Sequence, residues 1–262
     1  MRVAFGPRCL IGVGVLILAI VPPKGASARY THGPWPDNVP SPQYANIAPL
    51  PGAGIALDSA GNPDGLGAMQ VNIPVAYTPQ MGYISASVSE GAYPDIPHTE
   101  FENGTGVFAL GFFNKPALYA SGMQCSRILG ESKCLSFQMS LLRENRRQPG
   151  LAIGVQDLLE KEARMQSVYF VTTKEFAAKN RRVFATVGYG GGRFLNVPFA
   201  GVSTPLNEST NIAVEWDGFQ FNAGLGWRPG GRHGWFTFLT AYNGRAGWLF
   251  SGAAAFRPGK PM

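Results

Sequence analysis

One stretch, Asn211–Arg228, constrains the possible folds of this chain more than any other. It reads N-I-A-V-E-W-D-G-F-Q-F-N-A-G-L-G-W-R. Before Asp217-Gly218, the residues Ile212, Val214 and Trp216 alternate with Asn211, Ala213, Glu215 and Asp217. After it, Phe219, Phe221, Ala223, Leu225 and Trp227 alternate with Gln220, Asn222, Gly224, Gly226 and Arg228. A period of two places successive side chains on opposite faces of a β-strand, so the stretch predicts two strands with one apolar and one polar face each. Asp-Gly supplies the positive φ angles of a tight hairpin turn between them. The second arm has about the ten residues that a tilted strand needs to cross a bilayer.

The same alternation recurs along the chain. It begins with Val71, Ile73, Val75 and Tyr77, then Ile84, Ala86 and Val88, then Phe108, Leu110 and Phe112. Leu135, Phe137, Met139 and Leu141 follow, then Leu151, Ile153 and Val155, then Val183, Ala185, Val187 and Tyr189. Met165–Phe176, Phe199–Leu206 and Trp235–Tyr242 are less regular, and Trp248–Phe256 ends the series. With the hairpin this predicts about twelve strands. Pro74 cannot donate to a ladder and marks a bulge or a weak position in its strand. Pro79-Gln80 reads as a tight turn and Asn114–Lys133 as a long connection. The charge runs Arg143–Arg147, Glu160–Arg164 and Lys179–Arg182 all fall at strand ends.

Whether the apolar faces meet each other or meet lipid decides the class. In a soluble sandwich the outer faces carry Lys and Glu. Here charged residues make up only 15% of the chain, against about a quarter in typical domains, and the polar faces are mostly Ser, Gly, Ala, Asn and Gln. In a membrane barrel the outward faces are apolar, the inward faces small or polar, and charges gather in the turns. Tyr77, Tyr83, Tyr189, Trp216, Trp227, Trp235 and Trp248 stand near strand ends, where interfacial aromatic girdles form. Unpaired strand edges are not tolerated in lipid, so the barrel has to close. The expected fold is therefore all-β: a closed antiparallel up-and-down transmembrane barrel with an irregular N-terminal segment. The rival is a soluble periplasmic or secreted β-sandwich that binds carbohydrate through exposed aromatics.

Domain organisation follows from the first residues. Arg2 and Arg8, the apolar run Leu10 to Val21 and the small-residue site Ala26-Ser27-Ala28 predict an export signal over 1–28. A Pro- and Gly-rich segment without either period spans 29–67, and the barrel domain is expected over 68–262. The irregular segment either hangs free or folds back as a plug. The signal takes Cys9 with it, leaving Cys125 and Cys134, which an oxidising compartment would join in a disulfide. It also removes Arg2, Arg8 and Lys24 from a net charge of +6, so nothing points to nucleic acid.

Catalytic signals are weak. Gly190-Gly191-Gly192-Arg193 lacks the G-K-[ST] ending of a phosphate loop and reads as a flexible loop. His32, His98 and His233 have no ligand spacing, and no G-x-S-x-G elbow appears, so no metal, cofactor or catalytic residue is expected. Glu215 and Asp217 form either a negative patch, paired with Arg228 or Lys174, or strand-end charges serving the turn. The polar face supplies the candidate lumen lining: Gln70, Asn72, Ser85, Ser87, Gln138, Gln156, Glu215, Gln220, Asn222 and Arg228.

Several short runs resemble those of YjbH-type bacterial outer-membrane proteins. Pro149-Gly150-Leu151-Ala152-Ile153-Gly154-Val155-Gln156-Asp157 is similar to their P-x-L-A-x-G-x-x-D segment, and Tyr169-Phe170-Val171-Thr172-Thr173-Lys174 to the Y-L-V-x-S-K strand after it. Gly188-Tyr189-Gly190, Phe199-Ala200-Gly201-Val202 and Glu215-Trp216-Asp217-Gly218 resemble later elements. Val168 stands where an acidic residue is expected, and this chain is much shorter than the multi-module members. The resemblance spans Pro149 to Arg228. It implies a non-enzymatic β-barrel of the bacterial outer membrane that assists exopolysaccharide export or envelope assembly. Its implied partners are outer-membrane lipid, polysaccharide and export-machinery proteins.

Overall fold

The structure is a computed structural model that describes residues 50–91, 105–125, 133–156, 158, 166–178, 181–218, 220–244 and 247–257. The expected signal over 1–28 and most of the 29–67 segment lie outside these residues. Among the described residues are twelve strands: β1 (Ile84–Gly91), β2 (Thr105–Asn114), β3 (Ala117–Cys125), β4 (Lys133–Leu142), β5 (Gly150–Gln156), β6 (Ser167–Ala178), β7 (Arg181–Gly190), β8 (Val197–Asn207), β9 (Thr210–Trp216), β10 (Phe221–Trp227), β11 (Phe236–Asn243) and β12 (Gly247–Phe256). Each pairs antiparallel with its neighbour in sequence, and β12 returns to β1 with Ile84 opposite Phe256 and Glu90 opposite Phe250. The sheet is one closed barrel, not the two layers of a sandwich. Closure leaves no row of unpaired N–H and C=O groups.

Side-chain parity follows the pleat. On the outer face Val88, Phe108, Ile153, Val168, Phe170, Val214, Leu225, Phe238 and Phe250 are 40–66% exposed. On the inner face the neighbours Ala109, Ala152, Tyr169, Val171, Ala213, Leu239 and Leu249 are buried. Outward charges sit at strand ends, as Glu90 and Arg181 do, or reach back to a rim, as Lys174 does towards Glu144 at 2.9 Å. Aromatic pairs lie along the outer face, with Trp227 stacked on Phe238 at 5.7 Å and Trp235 on Phe256 at 5.7 Å.

The two rims differ. Where β1 starts and β12 ends, the connections are 115–116, 143–149, 179–180, 208–209 and 228–235. At the other rim they are 92–104, 126–132, 157–166, 191–196, 217–220 and 244–246. The first rim therefore carries the short turns. The central hairpin turns over Asp217–Gln220, with Gly218 at φ 102 and the Asp217 N–H donating to the Gln220 carbonyl at 3.2 Å. Its second strand starts at Phe221, two residues later than the alternation implies.

Three expectations are corrected. The run from Met69 to Tyr77 is not a barrel strand. Val71, Ile73 and Val75 are fully buried, and so are Gln70 and Asn72, because this extended chain lies inside the barrel with both its faces covered. Period-two alternation marks extended backbone, but it does not say that the backbone joins a ladder. Within Asn114–Lys133 lies a strand, β3, whose outward residues Leu118, Ala120 and Gly122 include only one large apolar side chain.

The third correction concerns the disulfide. Cys134 is a buried thiol and not half of a bridge, with its Sγ 3.3 Å from the Ser136 Oγ. Met123, not Cys125, stands opposite Cys134 in the β3–β4 register. Cys125 is thus a diagonal neighbour, about 7–8 Å away, beyond the reach of an unstrained S–S link.

Candidate functional site: the barrel interior

The interior is occupied by most of the chain's own residues 50–80, with Ser59 exposed. Leu57, Ala68, Met69, Val71, Ile73 and Val75 within it are fully buried. Irregular backbone in so dry a place needs partners for every N–H and C=O. Some come from the segment itself: Leu57 and Ala68 exchange N–H···O bonds at 2.9 and 2.8 Å, and Gly54 donates to the Gln70 carbonyl at 2.9 Å.

The rest come from inward polar side chains of the wall. Glu215 is the principal anchor. Its Oε2 accepts the Val71 N–H at 2.8 Å, and its Oε1 accepts the Asn72 N–H at 2.6 Å and the Asn222 amide at 3.0 Å. Ser203 Oγ takes the Met69 N–H at 3.2 Å, and Thr173 Oγ1 takes the Ala76 N–H at 2.9 Å. Gln138 donates to the Val75 carbonyl at 3.0 Å and to Thr78 Oγ1 at 2.8 Å, while accepting from the Tyr169 hydroxyl at 2.9 Å. Asn211 donates to the Gly65 carbonyl at 2.6 Å, and Arg228 reaches the Ala56 carbonyl at 3.5 Å.

Inward glycines make room for this chain. A Cβ on Gly224 would meet Val71 Cγ2 at 2.7 Å, one on Gly226 would meet Met69 Sδ at 2.6 Å, and one on Gly201 would meet Gln70 Oε1 at 2.5 Å. At Gly111 it would fall on the Gln80 carbonyl.

At the short-turn rim, Asp64 closes the segment against the β10–β11 turn. Arg232 Nε lies 2.9 and 3.0 Å from its two oxygens, and Nη2 lies 2.7 Å from Oδ2. Burial works to raise the Asp64 carboxyl, but the Arg232 guanidinium and the Leu66 N–H outweigh it and hold the group below its usual value of 3.8. A depressed carboxylate stabilises the fold above its unfolded pKa, and that contribution is lost as pH falls through the lower folded value. Asp64→Asn is therefore expected to lower thermal stability by a constant amount between about pH 5 and 8, with the gap to wild type closing below about pH 4. Thermal unfolding in detergent across that range checks it, and a gap that persists at pH 2.5 would contradict it.

The expected lining residues fall into distinct places. Ser85, Gln138, Gln156, Glu215 and Asn222 are buried on the inner wall, Gln220 is buried in the β9–β10 turn, Arg228 is buried at the start of the β10–β11 turn, and Ser87 is half-buried. Gln70 and Asn72 are not on the wall but in the enclosed segment itself. Glu215 and Asp217 share Asn222, whose amide lies 3.0 Å from Glu215 Oε1 and 2.8 Å from Asp217 Oδ2, and Lys174 is engaged at the rim by Glu144 at 2.9 Å. Asp217 serves its turn by accepting the Gln220 N–H at 3.1 Å.

Ser203, Thr173, Asn211 and Asp64 were not singled out from sequence. The first three occupy inward positions that strand parity identifies, whereas Asp64 has no local signal. The Gly190–Arg193 run is packed: Arg193 is fully buried, accepts no phosphate-loop geometry, and donates to Gln156 Oε1 at 3.2 Å. His32 and His98 lie outside the described residues, and His233 is exposed. Among the described residues no three His, Cys, Asp or Glu side chains converge to hold a metal ion. The site is an anchoring surface for backbone.

No known family model matches the chain, YjbH-type included, and no curated protein matches it. A crystal structure of an outer membrane channel from Pseudomonas putida F1 is similar over 67% of this chain and 96% of that one, at 9% identity and a TM-score of 0.34. So distant a likeness carries no weight for function.

Proposed function

We propose that this chain is a non-enzymatic β-barrel of the bacterial outer membrane, exported by its 1–28 signal, whose lumen is held shut by residues 50–80. The observation that carries the reading is the outer face: Phe108, Phe170, Val214 and Leu225 are about half exposed at mid-strand on a sheet with no free edge. A soluble barrel gains nothing by presenting such a band to water, whereas lipid requires it. Short turns lie on the periplasmic side of such barrels, which assigns the rim of β1 and β12 to the periplasm.

The more specific role is assistance to polysaccharide export or envelope assembly alongside export-machinery proteins. It is supported by the motif resemblance over Pro149–Arg228 and by an inner wall rich in hydroxyls and amides. Those groups now bind the enclosed segment, so a glycan would enter only where that segment is displaced. Envelope fractionation tests the location. The protein is expected with the outer membrane, running faster on gels before heating than after; recovery in the soluble fraction without detergent would contradict it. Deletion of the gene is expected to lower surface polysaccharide several-fold, and unchanged polysaccharide would remove that role.

A further inference from the structure

Among the described residues, the short-turn rim carries more cations than acids. Lys115, Arg143, Arg146, Arg147 and Arg181 are exposed there, and Arg257 is half-exposed. The nearby acids are mostly taken: Glu144 by Lys174 at 2.9 Å, Glu175 by Arg182 at 2.7 Å and Asp64 by Arg232 at 2.7 Å. Arg143 donates to the Asn114 carbonyl and Arg257 to the Met81 carbonyl, so both are held in place by neutral acceptors. Glu208 is the one exposed acid in the described turns of this rim.

Each group of cations sits directly beyond large outward apolar side chains. Phe112 and Phe113, 41% and 57% exposed, precede Lys115. Leu141 and Leu142, 48% and 47% exposed, precede Arg143, and Phe176 lies one step inside the β6–β7 end that carries Arg181. A basic ring resting on an apolar ring is at headgroup depth when the apolar ring is in hydrocarbon.

We propose that this rim binds the phosphate groups of anionic phospholipids in the leaflet it faces, with Arg146, Arg147 and Arg181 as the principal contacts. The inference rests on the membrane placement above and adds a lipid preference to it. Guanidinium groups suit this task because their forked donors grip phosphate oxygens in pairs.

The test uses the full-length protein in bilayers with spin-labelled phosphatidylglycerol or phosphatidylcholine, reading the immobilised fraction of each lipid. Wild type is expected to favour phosphatidylglycerol by roughly fivefold or more, the effect of about one engaged cation near a membrane surface. The variant R146Q/R147Q/R181Q, altered only at exposed positions in the 143–149 turn and at the first residue of β7, and checked for unchanged heat-modifiable mobility, is expected to fall to near parity. An equal preference in wild type and variant would overturn the proposal. So would binding of soluble alginate by wild type but not by the variant with no lipid preference in either, because the partner would then be a soluble polyanion. Failure of the wild-type protein to enter the bilayer at all would instead remove the membrane reading.

Discussion

Glu215→Ala is expected to loosen the enclosed segment and to cost more stability than any other single side-chain truncation on the inner wall. One carboxylate answers two consecutive backbone N–H groups, of Val71 and Asn72, and the Asn222 amide besides. Removing it leaves those donors buried without their acceptor, and each unsatisfied group costs about 1–3 kcal/mol. A cost of roughly 3 kcal/mol or more follows, since three donors lose their acceptor at once. Glu215→Gln keeps one acceptor oxygen but turns an amide towards the other N–H, so its loss is expected to be intermediate. Thermal unfolding in detergent measures the order. Single-channel recording reads the second consequence, because a loosened segment is expected to give brief openings absent from wild type. Equal stability of Glu215→Ala and wild type would mean that the segment is not held from this site.

The second large effect concerns steric fit. Gly111 of β2 faces inward against the backbone where the enclosed segment turns into β1: its N–H donates to the Tyr83 carbonyl at 2.9 Å, and an added Cβ would collide with the Gln80 carbonyl. Backbone cannot step aside as a side-chain tip does, so Gly111→Val is expected to cost at least the 1–3 kcal/mol typical of overpacking and to lower the yield of folded barrel. Gly106, on the same strand, has nothing within 4 Å of its added Cβ. Gly106→Val provides the control and is expected to be neutral or slightly stabilising, since β-branched residues suit an exposed strand face. Refolding yield by gel shift separates the two variants, and equal yields would contradict the packing described for β2.

These two sites show which features local sequence carries and which it does not. The alternation over Ile212–Trp227 is enough to reveal strands, their outward side and a turn at Gly218, because parity along a strand is a local property. The same alternation at Met69–Tyr77 was misleading: an extended chain passing through an enclosed space buries both faces, and Gln70 and Asn72 look like lumen residues although they belong to the plug. Pro74 was the clue, since a residue without an N–H sits badly in a ladder. β3 escaped notice because Ala120 and Gly122 give its outer face little hydrophobic contrast.

At the anchoring site, Glu215 was legible as an inward charge, but its partners were not. They are backbone N–H groups more than a hundred residues away in sequence, and no side-chain pattern announces them. The inward glycines at 201, 224 and 226 carry no side chain to announce a contact. They are the contact surface for Gln70, Val71 and Met69. Cys125 and Cys134 matched a disulfide by count and compartment, yet pairing register placed them two residues out of line.

The central claim is that the outward band lies in hydrocarbon, and native tryptophans report on it directly. Trp227 and Trp248 are 52% and 53% exposed and lie at opposite rims, on β10 and β12. Single-tryptophan variants retaining either one, reconstituted in vesicles with brominated acyl chains, are expected to lose most of their fluorescence to the bromines and to be shielded from aqueous iodide. Strong iodide quenching with no effect of brominated lipid at either position would contradict the account.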